Sequence, residues 1–440
     1  MQFANYLTNF HPTLKSRLLA SAAALLALAA NLANAEPSVA RASSDKKWIG
    51  TWGASPQADL PRAPKTYRNQ TLRLVVHTSV GGDEIRIKFS NTFGERPLVI
   101  GAARVARRTI AAEIDGASDR ALTFHGQPSA TVPAGSIVVS DPVKLEVSAL
   151  SDLAISLFLP ESTEVTTAHI LAKQTSYVSP ETGDATAEVK FPIGKKIGSW
   201  PFLAGVDVMA SPVGATIVAF GSSLTDGDGT TSDTNGRWAD VLAERLQKRA
   251  DREAEIGVLN EGIIGNRLLS DSPQQAFGGA LGEAGLTRFD RDVLDQAGVT
   301  YVVVGLGIND IAFPGSLTPA AENVTAESII AGYRQLVARA HRKGVRVIGT
   351  TNPPFENSFL ASPPTTFYTP EKEGVRQKVN DWIRSGGEVD GVVDLDAVLR
   401  DPSHPTQLLP SYDSGDHLHP NNAGCVAEGN AFPLALFGID

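Results

Sequence analysis

Cysteine is almost absent from this 440-residue sequence, which limits the chemistry open to the chain. Cys425 is the only one, so an internal disulfide is impossible and a metal site built from several thiolates is excluded. The residue falls in a segment predicted as helix, where we expect a buried, unreactive thiol.

An excess of positive charge is also lacking. The 39 Lys and Arg residues are outnumbered by 48 Asp and Glu residues, and the formal net charge is -9. Nucleic acids and anionic membranes select proteins rich in Lys and Arg. Neither is therefore expected as a partner.

Long apolar runs are missing except near the N-terminus. Lys15 and Arg17 precede an Ala- and Leu-rich stretch at 18–32, and Ala33-Asn34-Ala35 follows it. A basic start, a short apolar segment and a small-x-small site are typical of a signal peptide. We expect residues 1–35 to be removed, leaving a linker at 36–46 and a secreted or periplasmic protein with no integral membrane segment. A retained N-terminal membrane anchor is the alternative.

Residues 47–204 have the pattern of an all-β accessory domain. Apolar residues alternate with polar ones at 72, 74 and 76 and again at 85, 87 and 89, on either side of Gly81-Gly82, which predicts a hairpin. Further short strands are predicted at 137–139, 143–147, 153–159 and 176–178. Repeated short strands of this kind favour a β-sandwich or jelly-roll-like domain. Trp48 and Trp52 at its start could stack on sugar rings, although a core or interface role is more common for such residues.

Residues 205–440 change to alternating strands and helices. Strands are predicted at 215–220, 258–259, 301–304, 345–348 and 392–393, and helices at 327–342, at 371–384 and around Trp238 to Leu246. Such alternation predicts a parallel sheet covered on both faces, a three-layer α/β/α domain. Open sheets of this type bind ligands at the carboxyl ends of their strands. The loop at 352–370 either borders such a site or is a variable surface loop.

Two distant segments could together form a nucleophilic site. Residues 221–227 read GSSLTDG and supply a serine, while Asp416 and His419 lie three residues apart near the C-terminus. A serine hydroxyl needs an imidazole to take its proton and a carboxylate to orient that imidazole. Residues 260–265 (NEGIIG) and 307–310 (GIND) each follow a predicted buried strand. A glycine after a strand is often only a turn, and an Asn-Asp pair is often a helix cap, so the four motifs carry weight only together.

The four motifs, in this order, resemble those of the SGNH (GDSL-type) hydrolase family, here in an exported bacterial form with an extra N-terminal β domain. The resemblance covers about residues 214 to 436. It implies that Ser223 is the nucleophile, that Ser223, Gly265 and Asn309 form the oxyanion hole, and that Asp416 and His419 complete a triad. The usual Gly-Asp-Ser reads Gly-Ser-Ser here, so Ser222 replaces the Asp and is expected only to support the loop.

The expected function is that of an exported serine esterase acting on small-molecule or polysaccharide esters, without cofactor or metal. By analogy with exported acetyl-esterases, this extends to the deacetylation of carbohydrates. One alternative is a lipase or lysophospholipase-type lipid esterase, and another is a glycan-binding protein with an inactive hydrolase domain. A third is a metal-dependent hydrolase, since Asp413, Asp416, His417 and His419 are common ligand types.

Overall fold

The computed structural model describes residues 46–59, 65–249, 255–361, 364–385 and 387–439. The predicted signal peptide at 1–35 and the predicted linker up to residue 45 lie outside these ranges. Among the helices of the described ranges, none combines the length and the apolar character that a bilayer crossing requires.

The N-terminal half, here called the β half (residues 47–210), contains two large antiparallel sheets, of five and six strands, and three small sheets of two or three strands. Alternate residues of both large sheets, among them Leu74 and Ile87, are fully buried in one hydrophobic cluster, so the sheets pack face to face as a sandwich. Its strands are β1 (Lys47–Gly53), β2 (Gln57–Ala58), β3 (Thr66–Tyr67), β4 (Gln70–His77), β5 (Gly82–Ser90), β6 (Leu98–Ile100), β7 (Ala102–Arg107), β8 (Arg120–Ala121), β9 (Ala130–Val132), β10 (Ile137–Val139), β11 (Val143–Val147), β12 (Asp152–Leu159), β13 (Thr163–Glu164), β14 (Thr167–His169), β15 (Ser176–Val178), β16 (Lys195–Ile197), β17 (Trp200–Pro201) and β18 (Leu203–Ala210).

The predicted hairpin around Gly81-Gly82 is wrong in its pairing, although both strands exist. Strand β4 pairs with β12 and β15, whereas β5 pairs with β18, β10 and β11 in the other sheet. The chain therefore crosses the sandwich at this turn instead of folding back within one sheet. Two strands that face one core from opposite sheets show the same alternation as two strands of a hairpin, and the sequence pattern does not distinguish them.

Strand β18 crosses the boundary predicted between residues 204 and 205. It pairs along its length with β1 and β5, so the β half extends to Ala210. Nearly every residue of β18 is buried, and its apolar run resembles those of the parallel strands that follow. The residue types alone therefore do not separate it from the next domain.

The C-terminal half, here called the α/β half (residues 215–439), contains the predicted parallel sheet, and the predicted strands and helices are confirmed with slightly longer bounds. Five strands are parallel in the order β20-β19-β21-β22-β25. The strands are β19 (Ala215–Gly221), β20 (Ile256–Gly262), β21 (Val299–Gly305), β22 (Arg346–Thr350), β23 (Phe359–Ala361), β24 (Pro364–Thr366), β25 (Gly391–Val393), β26 (Arg400–Asp401) and β27 (His404–Leu408). The α-helices are α1 (Ser223–Asp226), α2 (Trp238–Lys248), α3 (Gln274–Phe277), α4 (Gly285–Phe289), α5 (Ile308–Ala312), α6 (Ala326–Arg342), α7 (Pro370–Ser385), α8 (Leu395–Leu399) and α9 (Asn422–Asn430).

Helices cover both faces of this sheet. On central strand β19, Val218 and Phe220 belong to a cluster that includes residues of α6 and α7. Ile217 and Ala219 point the other way, into a cluster with α2. Because successive side chains of a strand alternate in direction, burial of both sets requires a layer on each side.

The two halves meet through strand β1. The backbone N–H of Gly50 donates to Oγ1 of Thr216, 3.0 Å away, across the junction. A Cβ at Gly53 would lie 2.3 Å from a carboxyl oxygen of Glu261, so only glycine allows the backbone to come this close. Trp52 is only 8% exposed and packs edge-on against Trp200. Trp52 therefore belongs to the core of the β half and is not available as a platform for sugars.

Candidate active site

Three neighbouring strands of the parallel sheet end in register at the same edge. Gly221 at the end of β19 aligns with Gly262 of β20 on one side and with Gly305 of β21 on the other. The segments that follow these strands contain Ser223, Gly265 and Asn309, which places the three predicted residues at the carboxyl edge of the sheet. Strand β19 lies between β20 and β21, so the strands that follow it in sequence lie on opposite sides of it. Open α/β sheets bind ligands at such a position.

Ser223, His419 and Asp416 form a continuous chain of hydrogen bonds. Nε2 of His419 lies 2.8 Å from Oγ of Ser223, although 196 residues separate them in sequence. Nδ1 of His419 lies 2.5 Å from Oδ2 of Asp416. The other carboxylate oxygen, Oδ1, accepts the backbone N–H groups of Leu418 and His419 at 3.0 and 2.9 Å. These contacts fix the carboxylate within the turn, and the carboxylate in turn fixes the imidazole.

The charges of Asp416 and His419 stabilise each other. Burial raises the pKa of Asp416, but the hydrogen bond and charge of His419 and two backbone N–H groups outweigh burial and hold that pKa well below its usual value. For His419, burial lowers the pKa, yet the hydrogen bond and charge of Asp416 outweigh it and leave that pKa above 6.5. Asp416 is thus an anion at neutral pH, and its charge favours the protonated form of the imidazole.

Two further charges lie near the imidazole. A carboxylate oxygen of Asp228 is 3.9 Å from Nε2 of His419 and raises the pKa of the imidazole, while the more distant Lys173 lowers it. Nζ of Lys173 is 3.7 Å from Asp228 and 3.1 Å from the carbonyl oxygen of Thr230. Lys173 belongs to the β half, so that half contributes charge close to the site.

The three predicted oxyanion-hole residues are arranged so that N–H groups remain available. Gly265 has a φ of +68°, a conformation that favours glycine. Among the hydrogen bonds of the described residues, the backbone N–H groups of Ser223 and Gly265 have no protein acceptor. The side-chain amide of Asn309 donates one hydrogen to the carbonyl oxygen of Asn266, 3.0 Å away, and retains a second. That bond ties Asn309 to the residue after Gly265.

Asp310, the last residue of the GIND motif, holds the same loop. Its two carboxylate oxygens accept the backbone N–H groups of Leu268 and Leu269 at 2.7 and 2.8 Å. Burial raises the pKa of Asp310 to about 6. The GIND motif by itself gives no indication of this contact.

Ser222 does not provide the support expected of it, since its buried hydroxyl has no hydrogen-bond partner among the described residues. Arg288, which the sequence analysis did not single out, supports the loop instead. Its fully buried guanidinium donates to the carbonyl oxygen of Gly221 at 2.9 Å and to the side-chain oxygen of Asn266 at 3.0 Å. No sequence signal distinguishes Arg288 from the surface arginines of an amphipathic helix.

The two histidines of the C-terminal motif have separate partners. Nδ1 of His417 lies 2.5 Å from Asp413, whereas His419 pairs with Asp416. The four residues considered as metal ligands thus form two distinct pairs, and each Nδ1 atom already makes a hydrogen bond. Cys425 is fully buried in α9, and burial raises the pKa of its thiol, as expected for an unreactive residue.

The 352–370 loop reaches the turn that contains Asp416 and His417. The backbone N–H of Phe359 donates to the carbonyl oxygen of Asp416 at 3.2 Å, and its ring centre is 6.1 Å from that of His417. Phe359 is 39% exposed. Of the two interpretations of this loop, the one in which it borders the site agrees with these contacts.

An edge of a parallel sheet with a hydroxyl, an imidazole and N–H donors that lack protein acceptors has the groups that acyl transfer requires. Residues 219–426 match the family described as GDSL-like Lipase/Acylhydrolase, so this part of the chain belongs to that family and the protein is a carboxylic ester hydrolase. No curated protein matches the chain.

Several solved structures are similar to about half of the chain. The aryl esterase of M. smegmatis is 22% identical over 49% of this chain and 95% of its own, with a TM-score of 0.35. Est24, a carbohydrate acetylesterase from Sinorhizobium meliloti, is 18% identical over 49% and 95%, with a TM-score of 0.35. A mutant of Axe2, an acetyl-xylooligosaccharide esterase from Geobacillus Stearmophilus, is 20% identical over 52% and 97%, with a TM-score of 0.38.

Proposed function

We propose that the protein is a serine esterase in which Ser223 attacks the ester carbonyl, His419 transfers the proton and Asp416 orients His419. The observation that carries the proposal is the unbroken chain of hydrogen bonds from Ser223 Oγ through the imidazole to the Asp416 carboxylate. This arrangement matches the needs of acyl transfer, because it supplies a base next to the nucleophile and an anion behind the base.

The reaction proceeds in two halves. Oγ of Ser223 bonds to the acyl carbon while its proton passes to Nε2 of His419, and the carbonyl oxygen becomes an oxyanion. The N–H groups of Ser223 and Gly265 and the amide of Asn309 stabilise that oxyanion, an interaction that contributes only as the charge develops. His419 then protonates the departing alcohol. In the second half, water attacks the acyl carbon while His419 takes its proton, and the acid is released from the acyl-enzyme.

The substrate class that we propose is a short acyl ester of a polar alcohol, with acetylated carbohydrates as the leading case. The surroundings of His419 support it, since Lys173, Asp228 and the 46% exposed side chain of His417 are polar or charged, and an exposed aromatic residue, Phe359, borders the same turn. Such a rim can hydrogen-bond sugar hydroxyls, whereas the long chain of a lipid ester gains most from extended apolar surface.

The test compares three substrate sets on purified protein: p-nitrophenyl acetate, acetylated oligosaccharides and phospholipids. We expect a burst of p-nitrophenol and release of acetate from the oligosaccharides, both abolished in Ser223→Ala. Faster turnover of phospholipids would favour the lipid esterase alternative. A product burst that persists in Ser223→Ala would contradict the serine mechanism.

We also propose that the protein is exported after removal of residues 1–35. The support is the basic, apolar and small-residue order of the first 35 positions. Expression in a bacterial host, followed by N-terminal sequencing of periplasmic or secreted material, should give a chain that begins at Glu36. A chain that keeps its first 35 residues in the membrane fraction would indicate the anchor.

A further inference from the structure

We infer that His169, a residue of the β half, is a positioning residue of the catalytic site, and this inference rests on the proposed serine mechanism. It acts through Asp226, the last residue of the helix that begins with Ser223. In this arrangement the β half is part of the catalytic machinery, because it holds the nucleophile helix and the oxyanion loop in a fixed relation.

The contact between His169 and Asp226 is buried and direct. His169 ends strand β14 and is 2% exposed, and Asp226 is 1% exposed. Nε2 of the imidazole lies 3.0 Å from Oδ1 of Asp226, and Nδ1 lies 3.0 Å from the carbonyl oxygen of Ser55 on the other side. The ring also packs against Trp200, with centroids 5.6 Å apart. Three contacts thus fix the imidazole in one orientation.

Asp226 connects the two loops that carry the proposed chemistry. Its Oδ1 faces His169, while its Oδ2 accepts the backbone N–H of Ile264 at 3.1 Å. Ile264 directly precedes Gly265, the proposed donor of the oxyanion hole. One carboxylate therefore joins the helix of Ser223 to the Gly265 loop, and its direction decides how the two are spaced.

His169 is the side chain that sets this direction. Arg237 is the nearest alternative, but its Nη2 is 4.0 Å from Oδ1 of Asp226, which is too long for a hydrogen bond, and its Nε donates to the backbone carbonyl oxygen of Asp226 instead. Both ring nitrogens of His169 face oxygens of acceptor groups.

Loss of this bond should destabilise the transition state more than it weakens substrate binding. The buried side chain of Asp226 would turn toward other donors or admit water, because a buried polar group without a hydrogen-bond partner is costly. The Gly265 N–H and the Ser223 hydroxyl would then shift relative to each other. Oxyanion donors act only at short range, so a displacement approaching 1 Å lowers kcat by roughly tenfold to a hundredfold. KM should change little.

Two substitutions separate the contacts of His169 in the full-length protein. In His169→Gln the amide nitrogen can take the place of Nε2 and keep the bond to Asp226, whereas in His169→Asn it can take the place of Nδ1 and keep only the bond to Ser55. We expect His169→Asn to lose roughly tenfold to a hundredfold in kcat. His169→Gln should retain most of the wild-type kcat.

His77→Asn is the matched control. Nδ1 of His77 lies 2.7 Å from Oδ1 of Asp152, a histidine-aspartate pair wholly within the β half. We expect its kcat to equal that of the wild type. Steady-state kinetics with p-nitrophenyl acetate, the rate of phosphonylation of Ser223 by a reactive phosphonate ester, and thermal unfolding are measured on every variant.

Slow phosphonylation and low kcat in His169→Asn, with both restored in His169→Gln, would support the inference. A wild-type kcat in His169→Asn would overturn it. Equal losses of kcat in His169→Asn and His169→Gln, in proportion to their losses in Tm, would overturn it too. Ser223→Ala is assayed alongside to test the proposed function separately from the role of His169. Wild-type activity in Ser223→Ala would contradict the serine mechanism itself.

Discussion

A carboxylate oxygen of Asp228 lies 3.9 Å from Nε2 of His419, the nitrogen that also faces the Ser223 hydroxyl. The imidazole is therefore placed between two anions, since Asp416 contacts its other nitrogen. Both anions favour the protonated form and raise the pKa of His419, and Lys173 opposes them. The pH dependence of the enzyme should report this balance.

Asp228→Asn should shift the acidic limb of kcat/KM to lower pH, and Lys173→Gln should shift it to higher pH. The base must be neutral, so activity falls as the pH drops through the pKa of His419, which lies above 6.5 in the wild type. Removal of an anion lowers this pKa and removal of a cation raises it. The measurement is kcat/KM of all three proteins from pH 4 to 9. Shifts of both variants in the same direction would contradict the assigned charges.

Ser223→Ala should reduce kcat by several orders of magnitude, because the alcohol that forms the acyl-enzyme is gone. Ser222→Ala should leave kcat nearly unchanged. The Ser222 hydroxyl is buried without a hydrogen-bond partner among the described residues, so its removal costs little and can even stabilise the fold. Kinetics and thermal unfolding of both variants check this, and inactivation by Ser222→Ala alone would move the nucleophile to Ser222.

Asn309→Ala should lower kcat by roughly 10²–10³ with little change in KM, since its amide acts on charge that appears only in the transition state. The change also removes the bond to Asn266, so thermal unfolding is measured in parallel. An equal loss confined to KM would make Asn309 a substrate-binding residue instead.

Asp416→Asn should cause a large loss of kcat while the protein remains folded, because the amide leaves His419 in the wrong tautomer. His417→Ala should be mild by comparison, since His417 pairs with Asp413 and does not contact Ser223. EDTA should have no effect on the wild-type rate. Loss of activity with EDTA, together with equal losses in His417→Ala and His419→Ala, would point to a metal-dependent reaction.

The parallel strands and the long helices could be predicted from the sequence because their patterns are local. Helix α6 differs from prediction by one residue at its start and helix α7 by one residue at each end, and the buried runs of β19 and β21 mark the strands before two of the motifs. The pairing of β4 and β5 could not be predicted, because alternation shows which face of a strand is buried and not which strand lies beside it.

The chemical groups of the candidate site could be predicted from four short motifs, since the serine, the Asp-x-x-His pair and the two intervening motifs have few other uses in combination. How these groups are held depends on contacts between distant parts of the fold. His169 lies 57 positions from Asp226 and Arg288 lies 67 positions from Gly221, in segments with no motif of their own. The first contact depends on how the β half packs against the α/β half, and the second on how helix α4 packs against the sheet. The direction of a side chain across such an interface leaves no periodic trace in the sequence.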